Sequence, residues 1–171
     1  MDAFDIKKED KIITIYDSEL ADDNTIMMVP HKSLKNCELC NSDDVVKFMK
    51  DVFNVERLAE ENLFCMCLNI RMRCNAVFCV SRGTSEASLL DTRSILVKSL
   101  LLNASSIILI HNHPAGSCVP STSDVEATIK VKEACQTVGI HLADHLVISS
   151  FLGDGNYYSF ANETELLKCN R

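Results

Sequence analysis

The sequence lacks any lysine- or arginine-rich run, and its 17 basic side chains are outnumbered by 24 acidic ones. A formal net charge of −7 disfavours a broad electrostatic contact with nucleic acid, which is therefore not the expected partner. No apolar run approaches the ~18 residues that a membrane span needs, and residues 1–11 alternate acidic and basic side chains without the apolar region of a signal peptide. We therefore expect a cytoplasmic protein that does not enter a membrane.

A disulfide framework is also not expected, because the nine cysteines are odd in number and scattered in spacing. Most of them lie in apolar stretches such as Leu63–Leu68, where reduced thiols behave as small hydrophobic side chains. The one Cys-x-x-Cys pair, Cys37 and Cys40, has no second pair or neighbouring histidines, so it does not predict a zinc knuckle.

The sequence does contain enough apolar material for one core, since 47% of its 171 residues are hydrophobic. A domain of this size buries roughly 70% of its unfolded surface without disulfides or metals, so a metal site is expected to serve chemistry. Residues 1–41 are interpreted as an N-terminal arm with one strand around Ile12–Tyr16 and a break at Pro30. Residues 42–171 are interpreted as the folded domain.

Hydrophobic periodicity predicts alternating helices and strands from residue 42 onward. Helices are predicted from a Ser42 cap to Phe53, over Ile95–Leu102, and over Asp124–Val138, with Gly139 ending the last one. Strands are predicted over Leu63–Leu68, Ala76–Val80, Ser106–His111, His145–Ser149 and Tyr157–Phe160. The third of these strands is apolar on both faces, as a central strand is.

This order of elements predicts an α/β fold class: a three-layer single domain with a mixed β-sheet and helices on both faces. In the last predicted helix, one set of residues is expected to form the buried face: Val125, Ile129, Val131, Cys135 and Val138.

The clearest chemical signal lies between the predicted central strand and the last helix. His111 and His113 are two residues apart at the end of an extended strand, so their imidazoles point to the same side, as two ligands of one metal do. A loop containing prolines and a glycine brings Asp124 back toward them. Two neutral imidazoles and a carboxylate leave a fourth tetrahedral position for water, which catalytic zinc acidifies to a pKa near ~7.

Three further polar residues have two interpretations each. The Ser121 hydroxyl either hydrogen-bonds the oxyanion of a tetrahedral intermediate or caps the helix that Asp124 begins. Asp144 and His145 form either a second layer of contacts that orients a metal ligand or a polar link within the fold.

The pattern His-x-His, seven residues, Ser, two residues and Asp resembles the signature of the JAMM (JAB/MPN) metalloprotease superfamily. The longer string Asn103–Pro114 and the later Ala143-Asp144-His145 are more similar to its RadC-like branch. The resemblance covers roughly residues 63–160.

This resemblance implies a JAB/MPN fold, which is cytidine-deaminase-like, with zinc held by His111, His113 and Asp124. It also implies that Ser121 is catalytic, as the serine that stabilises the oxyanion. Base-deaminase chemistry is not expected, because the sequence contains neither His-x-Glu nor Pro-Cys-x-x-Cys.

One position departs from the family's pattern. RadC-like proteins carry a general acid/base glutamate four residues before the glycine of their Gly-Thr turn, and that position holds Cys79 here. Glu86 is the nearest acidic residue downstream and is the candidate substitute. Cys79 itself is interpreted either as a thiol near the metal or as a buried strand residue.

Together these features predict a zinc-dependent metallohydrolase of the metallopeptidase or isopeptidase type, in which zinc-bound water attacks an amide carbonyl of a peptide or protein substrate. Because the usual glutamate is absent, a non-catalytic JAB/MPN domain that binds a partner protein is the first alternative. A DNA repair or recombination accessory is the second, provided that four arginines form a basic patch: Arg71, Arg73, Arg82 and Arg93.

Overall fold

The computed structural model describes residues 12–35, 39–83, 91–150 and 156–168, and structural statements refer to these residues. In chain order the elements are β1 Ile12–Leu20, β2 Ile26–Lys35, α1 Ser42–Phe53, β3 Asn62–Leu68, β4 Cys74–Arg82, α2 Thr92–Leu101, β5 Ser106–His113, α3 Thr122–Thr137, β6 His141–Ser149, β7 Tyr157–Ser159 and α4 Phe160–Glu163. A 3-10 turn, Val55–Arg57, follows α1. Within these ranges no helix is long and apolar enough to cross a membrane.

The seven strands form one mixed sheet in the order β2-β1-β4-β3-β5-β6-β7. β5 is antiparallel to β3 and parallel to β6, so it has a neighbour on each side. β1 is parallel to β4, whereas the pairs β1–β2, β3–β4 and β6–β7 are antiparallel. The carboxyl ends of β1, β4, β5 and β6 therefore meet at one end of the sheet, beside the start of β3.

Helices cover both faces of the sheet and divide the core into two clusters. α1 lies over one face, where Met49 belongs to the same buried cluster as Ile110. α2 and α3 lie over the other face, where Val131 of α3 belongs to the same cluster as Leu109. Successive residues of β5 therefore alternate between the two faces, as a strand requires. The predicted three-layer α/β domain is confirmed.

Residues 12–35 form a hairpin that belongs to the sheet. β1 pairs with β4 from Thr14 to Tyr16 and with β2, which is an edge strand. Ile13 is 1% exposed and lies in the cluster beneath α1, so this segment contributes to the core. The sequence pattern predicts one strand here but not β2, because β2 contains Pro30 and is mostly exposed, so no hydrophobic alternation marks it.

The ends of two helices differ from the predictions. α1 is capped by Asn41, whose side-chain oxygen accepts a hydrogen bond from the Asp44 amide at 2.9 Å. Ser42 is the first helical residue, and its hydroxyl donates to Asp144 Oδ2 at 3.3 Å. Phe160 begins α4 rather than ending a strand, because Ser159 caps that short helix.

The buried face of α3 differs from the prediction in part, although Val131 and Cys135 are buried as predicted. Val125 and Ile129 are each 36% exposed and Val138 is 40% exposed, whereas Thr128 has no exposed surface. The helix is therefore turned so that the Thr128 hydroxyl, rather than these three apolar side chains, faces the sheet. This orientation is stable because Thr128 has hydrogen-bond partners inside the protein, which compensate for the loss of water.

Candidate metal centre

The carboxyl end of β5 presents two histidines on the face covered by α3. His111 lies opposite Leu63 of β3 and Val147 of β6, and both of these neighbours belong to the cluster beneath α2 and α3. His113 lies two residues further on, so both imidazoles project to that face. Their Nε2 atoms are 2.9 Å apart. The predicted pair of neighbouring imidazoles is thus present.

The third candidate ligand, Asp124, lies in the first turn of α3. Its Oδ1 is 3.5 Å from His111 Nε2, and its Oδ2 is 3.6 Å from His113 Nε2. These three residues form the metal-compatible cluster found among the described residues, with ligand atoms within 4.8 Å of one another. Neighbouring ligand atoms around a tetrahedral zinc ion with bonds of about 2.0–2.2 Å are themselves about 3.3–3.6 Å apart, which matches the two distances to Asp124, whereas the two imidazole nitrogens are closer.

The arrangement of hydrogen bonds also fits a cation at the centre of this cluster. His113 Nδ1 lies 2.8 Å from the Ser117 carbonyl oxygen, which can only accept, so Nδ1 carries the hydrogen and Nε2 has a free lone pair. Two Nε2 atoms 2.9 Å apart repel unless a proton or a metal ion lies between them. The residues present therefore fit a zinc ion.

The electrostatics of the cluster favour an anionic aspartate and a neutral His111. Burial opposes ionisation of Asp124, but its contacts with His113, His111 and Ser121 outweigh that effect and lower its pKa. Burial lowers the pKa of His111 to about 4. The nearby Asp124 carboxylate raises the pKa of His113, against the opposing effect of burial. Carboxylate and neutral imidazole are the forms that bind metals.

Asp144 and His145 have separate roles, although they are adjacent in sequence. His145 Nε2 lies 2.8 Å from His111 Nδ1, and its ring stacks on Phe160 with centroids 5.1 Å apart. Asp144 does not face the metal ligands; its carboxylate accepts hydrogen bonds from the Ser159 hydroxyl and from three other groups: the Ser42 hydroxyl and the amides of His145 and Ala161. His145 therefore contacts a ligand, whereas Asp144 links α1, β6 and α4.

Ser121 is the N-cap of α3. Its hydroxyl donates to Asp124 Oδ2 at 2.6 Å, and its oxygen accepts from the Asp124 amide at 3.2 Å, so the two residues form a capping box. This arrangement also fixes the Asp124 carboxylate toward the histidines. The capping interpretation describes the observed contacts, and a role in stabilising an oxyanion stays a prediction.

Cys79 lies on the other face of the sheet. It pairs with Phe64 and packs against the cluster beneath α1, and its thiol donates to the Ser81 carbonyl oxygen at 3.4 Å. The interpretation of Cys79 as a thiol near the metal is therefore wrong. A carboxylate at this position would also face α1.

Glu61, a carboxylate outside the predicted set of site residues, lies near the cluster. Leu63 pairs with His111 across the β3–β5 pair, and Glu61 lies two residues earlier, immediately before β3. The charge of Glu61 contributes to the raised pKa of His113. No local motif marks this residue, because its position follows from strand pairing. Glu86, the predicted substitute, lies outside the described residues.

The backbone around Glu61 is held by Asn112, the residue between the two histidines. Asn112 Oδ1 accepts from the Asn62 amide at 2.9 Å, and its Nδ2 donates to the Glu60 carbonyl oxygen at 3.0 Å. The Glu61 carbonyl oxygen accepts from the Gly83 amide at 2.9 Å. Asn112 is 2% exposed, so these bonds are shielded from solvent and the segment before β3 is firmly placed.

The fold and this cluster define the class of protein: an α/β domain with a metal-compatible site of two histidines and one aspartate. A family model described as the RadC-like JAB domain matches residues 39–166, which is most of the chain. The chain belongs to this family.

Curated relatives carry the name UPF0758 protein, which states no activity. The chain is 47% identical over 85 residues to one from Streptococcus sanguinis, a match covering 50% of this chain and 36% of that protein. It is 35% identical over 127 residues to one from Symbiobacterium thermophilum, covering 74% of this chain and 52% of that protein. The matches thus span only about a third to a half of the length of these relatives.

Proposed function

We propose that this protein is a zinc-dependent hydrolase that cleaves a peptide or isopeptide amide bond. The observation that carries the proposal is the convergence of His111 Nε2, His113 Nε2 and the Asp124 carboxylate within 2.9–3.6 Å of one another, where one ion can bind all three. Two nitrogen ligands and one oxygen ligand are the donor set of catalytic rather than structural zinc. RadC-like JAB family membership supports the same class of activity.

The residues around the cluster have distinct tasks in such a reaction. A bound zinc ion supplies a Lewis acid that polarises a carbonyl group and acidifies water. Glu61 lies near enough to His113 to raise its pKa, and in this proposal its carboxylate takes a proton from the attacking water and delivers it to the departing amine. Glu61 therefore replaces Glu86 as the proposed acid/base group.

Ser121 is the proposed oxyanion donor, as the family resemblance implies. Its hydroxyl hydrogen points to Asp124 in the structure, so this role requires the hydroxyl to rotate toward the substrate. Ser121→Ala removes both the cap and the donor, whereas Ser121→Thr keeps both.

A peptide or protein substrate is favoured over nucleic acid by the distribution of charge. The net charge is −7, and the proposed basic patch is divided because Arg71 and Arg73 precede β4 whereas Arg82 ends it. A nine-residue strand separates these arginines by roughly 30 Å. The non-catalytic alternative predicts the same metal site without turnover, so activity measurements separate it from the proposal.

The experiment that tests the proposal begins with the zinc content of the full chain, measured by elemental analysis without a chelating resin. We expect about one zinc per chain, lost when His113→Ala and Asp124→Ala are combined. Zinc content no higher than in that double variant would overturn the hydrolase proposal.

The zinc-loaded protein is then screened against peptide and isopeptide libraries. Glu61→Gln is expected to lower kcat by ~10²–10⁴-fold while zinc remains bound, because the proton transfer is lost. Glu60→Gln is the matched control, since it changes an adjacent carboxylate whose Oε2 faces Gly83 rather than the cluster. Equal losses in both variants would contradict the role of Glu61. A larger loss in Glu86→Gln than in Glu61→Gln would restore Glu86 as the acid/base.

A further inference from the structure

A chain of hydrogen bonds connects the backbone of α3 to the buried metal ligand. The Thr128 hydroxyl donates to the Asp124 carbonyl oxygen at 2.5 Å, and Thr128 Oγ1 lies 2.7 Å from His145 Nδ1. His145 Nε2 lies 2.8 Å from His111 Nδ1. Thr128 and His145 have no exposed surface and His111 is 2% exposed, so the chain is shielded from solvent.

The positions of the hydrogens follow from one fixed point, the Asp124 carbonyl oxygen. This oxygen can only accept, so the Thr128 hydroxyl hydrogen points to it and Thr128 Oγ1 is left to accept from His145 Nδ1. A neutral His145 then has no hydrogen on Nε2, which accepts from His111 Nδ1. A neutral His111 that carries its hydrogen on Nδ1 has its lone pair on Nε2, the atom that faces His113 and Asp124.

We propose that Thr128 and His145 are positioning residues of the zinc site, because they hold His111 in the tautomer whose Nε2 is free to bind the ion. The inference rests on the proposed zinc-dependent function and extends it to two residues outside the ligand set. The chain of hydrogen bonds also joins two metal ligands, since it begins at the Asp124 backbone and ends at the His111 ring. The Thr128 hydroxyl, which α3 turns toward the sheet, thereby acquires a function.

This chain of hydrogen bonds differs from the contacts that usually orient a metal-bound histidine. Such a histidine generally donates its second N–H directly to a carboxylate or a backbone carbonyl. His113 follows that rule through Ser117, but His111 donates to a third imidazole, which donates in turn to a hydroxyl. The ring of His145 is clamped by Phe160, with planes 10° from parallel, so its orientation is fixed by packing. No carboxylate is needed in the apolar interior, where burying one would be costly.

The first test is the tautomer of His111 in the zinc-free full chain, read from two-bond couplings between ring protons and nitrogens in NMR spectra. We expect the Nδ1–H form in the wild-type protein. In Thr128→Val, which keeps the side-chain shape but has no hydroxyl, His145 loses its fixed acceptor, so both tautomers of His111 should appear. A predominant Nε2–H form in the wild-type protein would overturn the proposal without any variant.

The second test is zinc affinity, measured by competition with a chromogenic chelator. Thr128→Val is expected to weaken zinc binding by about 10–100-fold, and Thr128→Ser, which restores the hydroxyl, to bind within about threefold of the wild type. Thr137→Val is the matched control, because the Thr137 hydroxyl likewise donates to a carbonyl four residues earlier, on Glu133, yet it is exposed. His145→Phe, which keeps an aromatic ring on Phe160, should weaken binding by at least as much as Thr128→Val.

The outcomes separate this inference from the proposed function. If the wild-type protein does not bind zinc, the proposed function fails, and the tautomer of His111 in the zinc-free chain still decides whether the chain of hydrogen bonds acts as described. If Thr128→Val binds zinc as tightly as Thr137→Val does, the positioning role is overturned while the hydrolase proposal stands. Weakened zinc binding in both Thr128→Val and Thr137→Val would show a general loss of helix stability. That result would also overturn the positioning role of Thr128.

Discussion

The two histidines of the cluster have similar ligand atoms but are supported by different parts of the molecule. His111 is 2% exposed, and its second nitrogen contacts His145 of the neighbouring strand β6. His113 is partly exposed, and its second nitrogen contacts the backbone of Ser117 in the loop before α3. The inner half of the site is therefore part of the folded core, whereas the outer half depends on a local loop. Replacing either histidine is expected to cause the same loss of metal binding. The two replacements are expected to lower the stability of the fold unequally.

The largest contrast between the halves is expected from replacing each histidine by alanine. Both variants should lose zinc, because each removes a ligand. With zinc removed, His111→Ala should also lower the free energy of unfolding by about 2–4 kcal/mol, since it leaves a cavity and a buried His145 nitrogen without its partner. His113→Ala should cost about 1 kcal/mol or less.

Denaturant unfolding of the zinc-free variants measures this difference. His141→Ala is a useful control for loss of an imidazole from β6, because His141 is exposed and lies at the opposite end of that strand. Equal destabilisation by His111→Ala and His113→Ala would contradict the division of the site into a core half and a loop half.

The two halves should also respond to pH in opposite directions when zinc is absent. Burial lowers the pKa of His111 to about 4, so the unfolded chain binds a proton below about pH 6.5 and the folded chain does not. Stability from this group is complete above pH 6.5 and falls by roughly 3 kcal/mol as the pH drops to about 4. The Asp124 carboxylate raises the pKa of His113, so the contribution of His113 to stability is present at low pH and is lost as the pH rises through that pKa.

Denaturant unfolding of the zinc-free chain at several pH values tests these signs. Relative to the wild type, His113→Ala should lose more stability between pH 6.5 and 4. In this variant His111 still destabilises the fold as the pH falls, and the opposing contribution of His113 is gone. His111→Gln should lose less. A steeper loss in His111→Gln than in His113→Ala would reverse the assignment of the two halves.

A smaller effect is expected from Asn112, which lies between the two histidines but faces the other side of β5. Asn112→Ala removes both contacts to the segment that carries Glu61, so kcat should fall about 10-fold with zinc affinity unchanged. Because the loss acts through Glu61, it should disappear when Glu61→Gln is already present. Additive losses in the double variant would show that Asn112 acts on the fold alone.

The smallest effect is expected at Cys79. Cys79→Ser should leave kcat within about twofold of the wild type, because this side chain faces α1 and contacts neither half of the site. Cys79→Glu should not restore activity to Glu61→Gln. Recovered hydrolysis in that double variant would show that position 79 does reach the reacting groups.

The central elements and the ligand set could be predicted because each depends on residues close together in the sequence. The double-sided apolar run of β5 and the periodicity of α1 predict a covered strand and an amphipathic helix from local pattern. His111, His113 and Asp124 lie within one strand, one loop and one helix turn, so their spacing already constrains their geometry. β2 and the buried face of α3 were not predictable in this way, because edge position and helix rotation depend on distant contacts.

The supporting residues of the site show the same limit. Glu61 reaches His113 through the pairing of β3 with β5, and His145 reaches His111 through the pairing of β5 with β6. A strand register is set by packing across the whole sheet, and shifting it by one residue would turn these side chains to the other face. The sequence by itself determined which three residues can bind a metal; only the tertiary structure decided which carboxylate, hydroxyl and imidazole surround them, because those contacts cross between separate strands and helices.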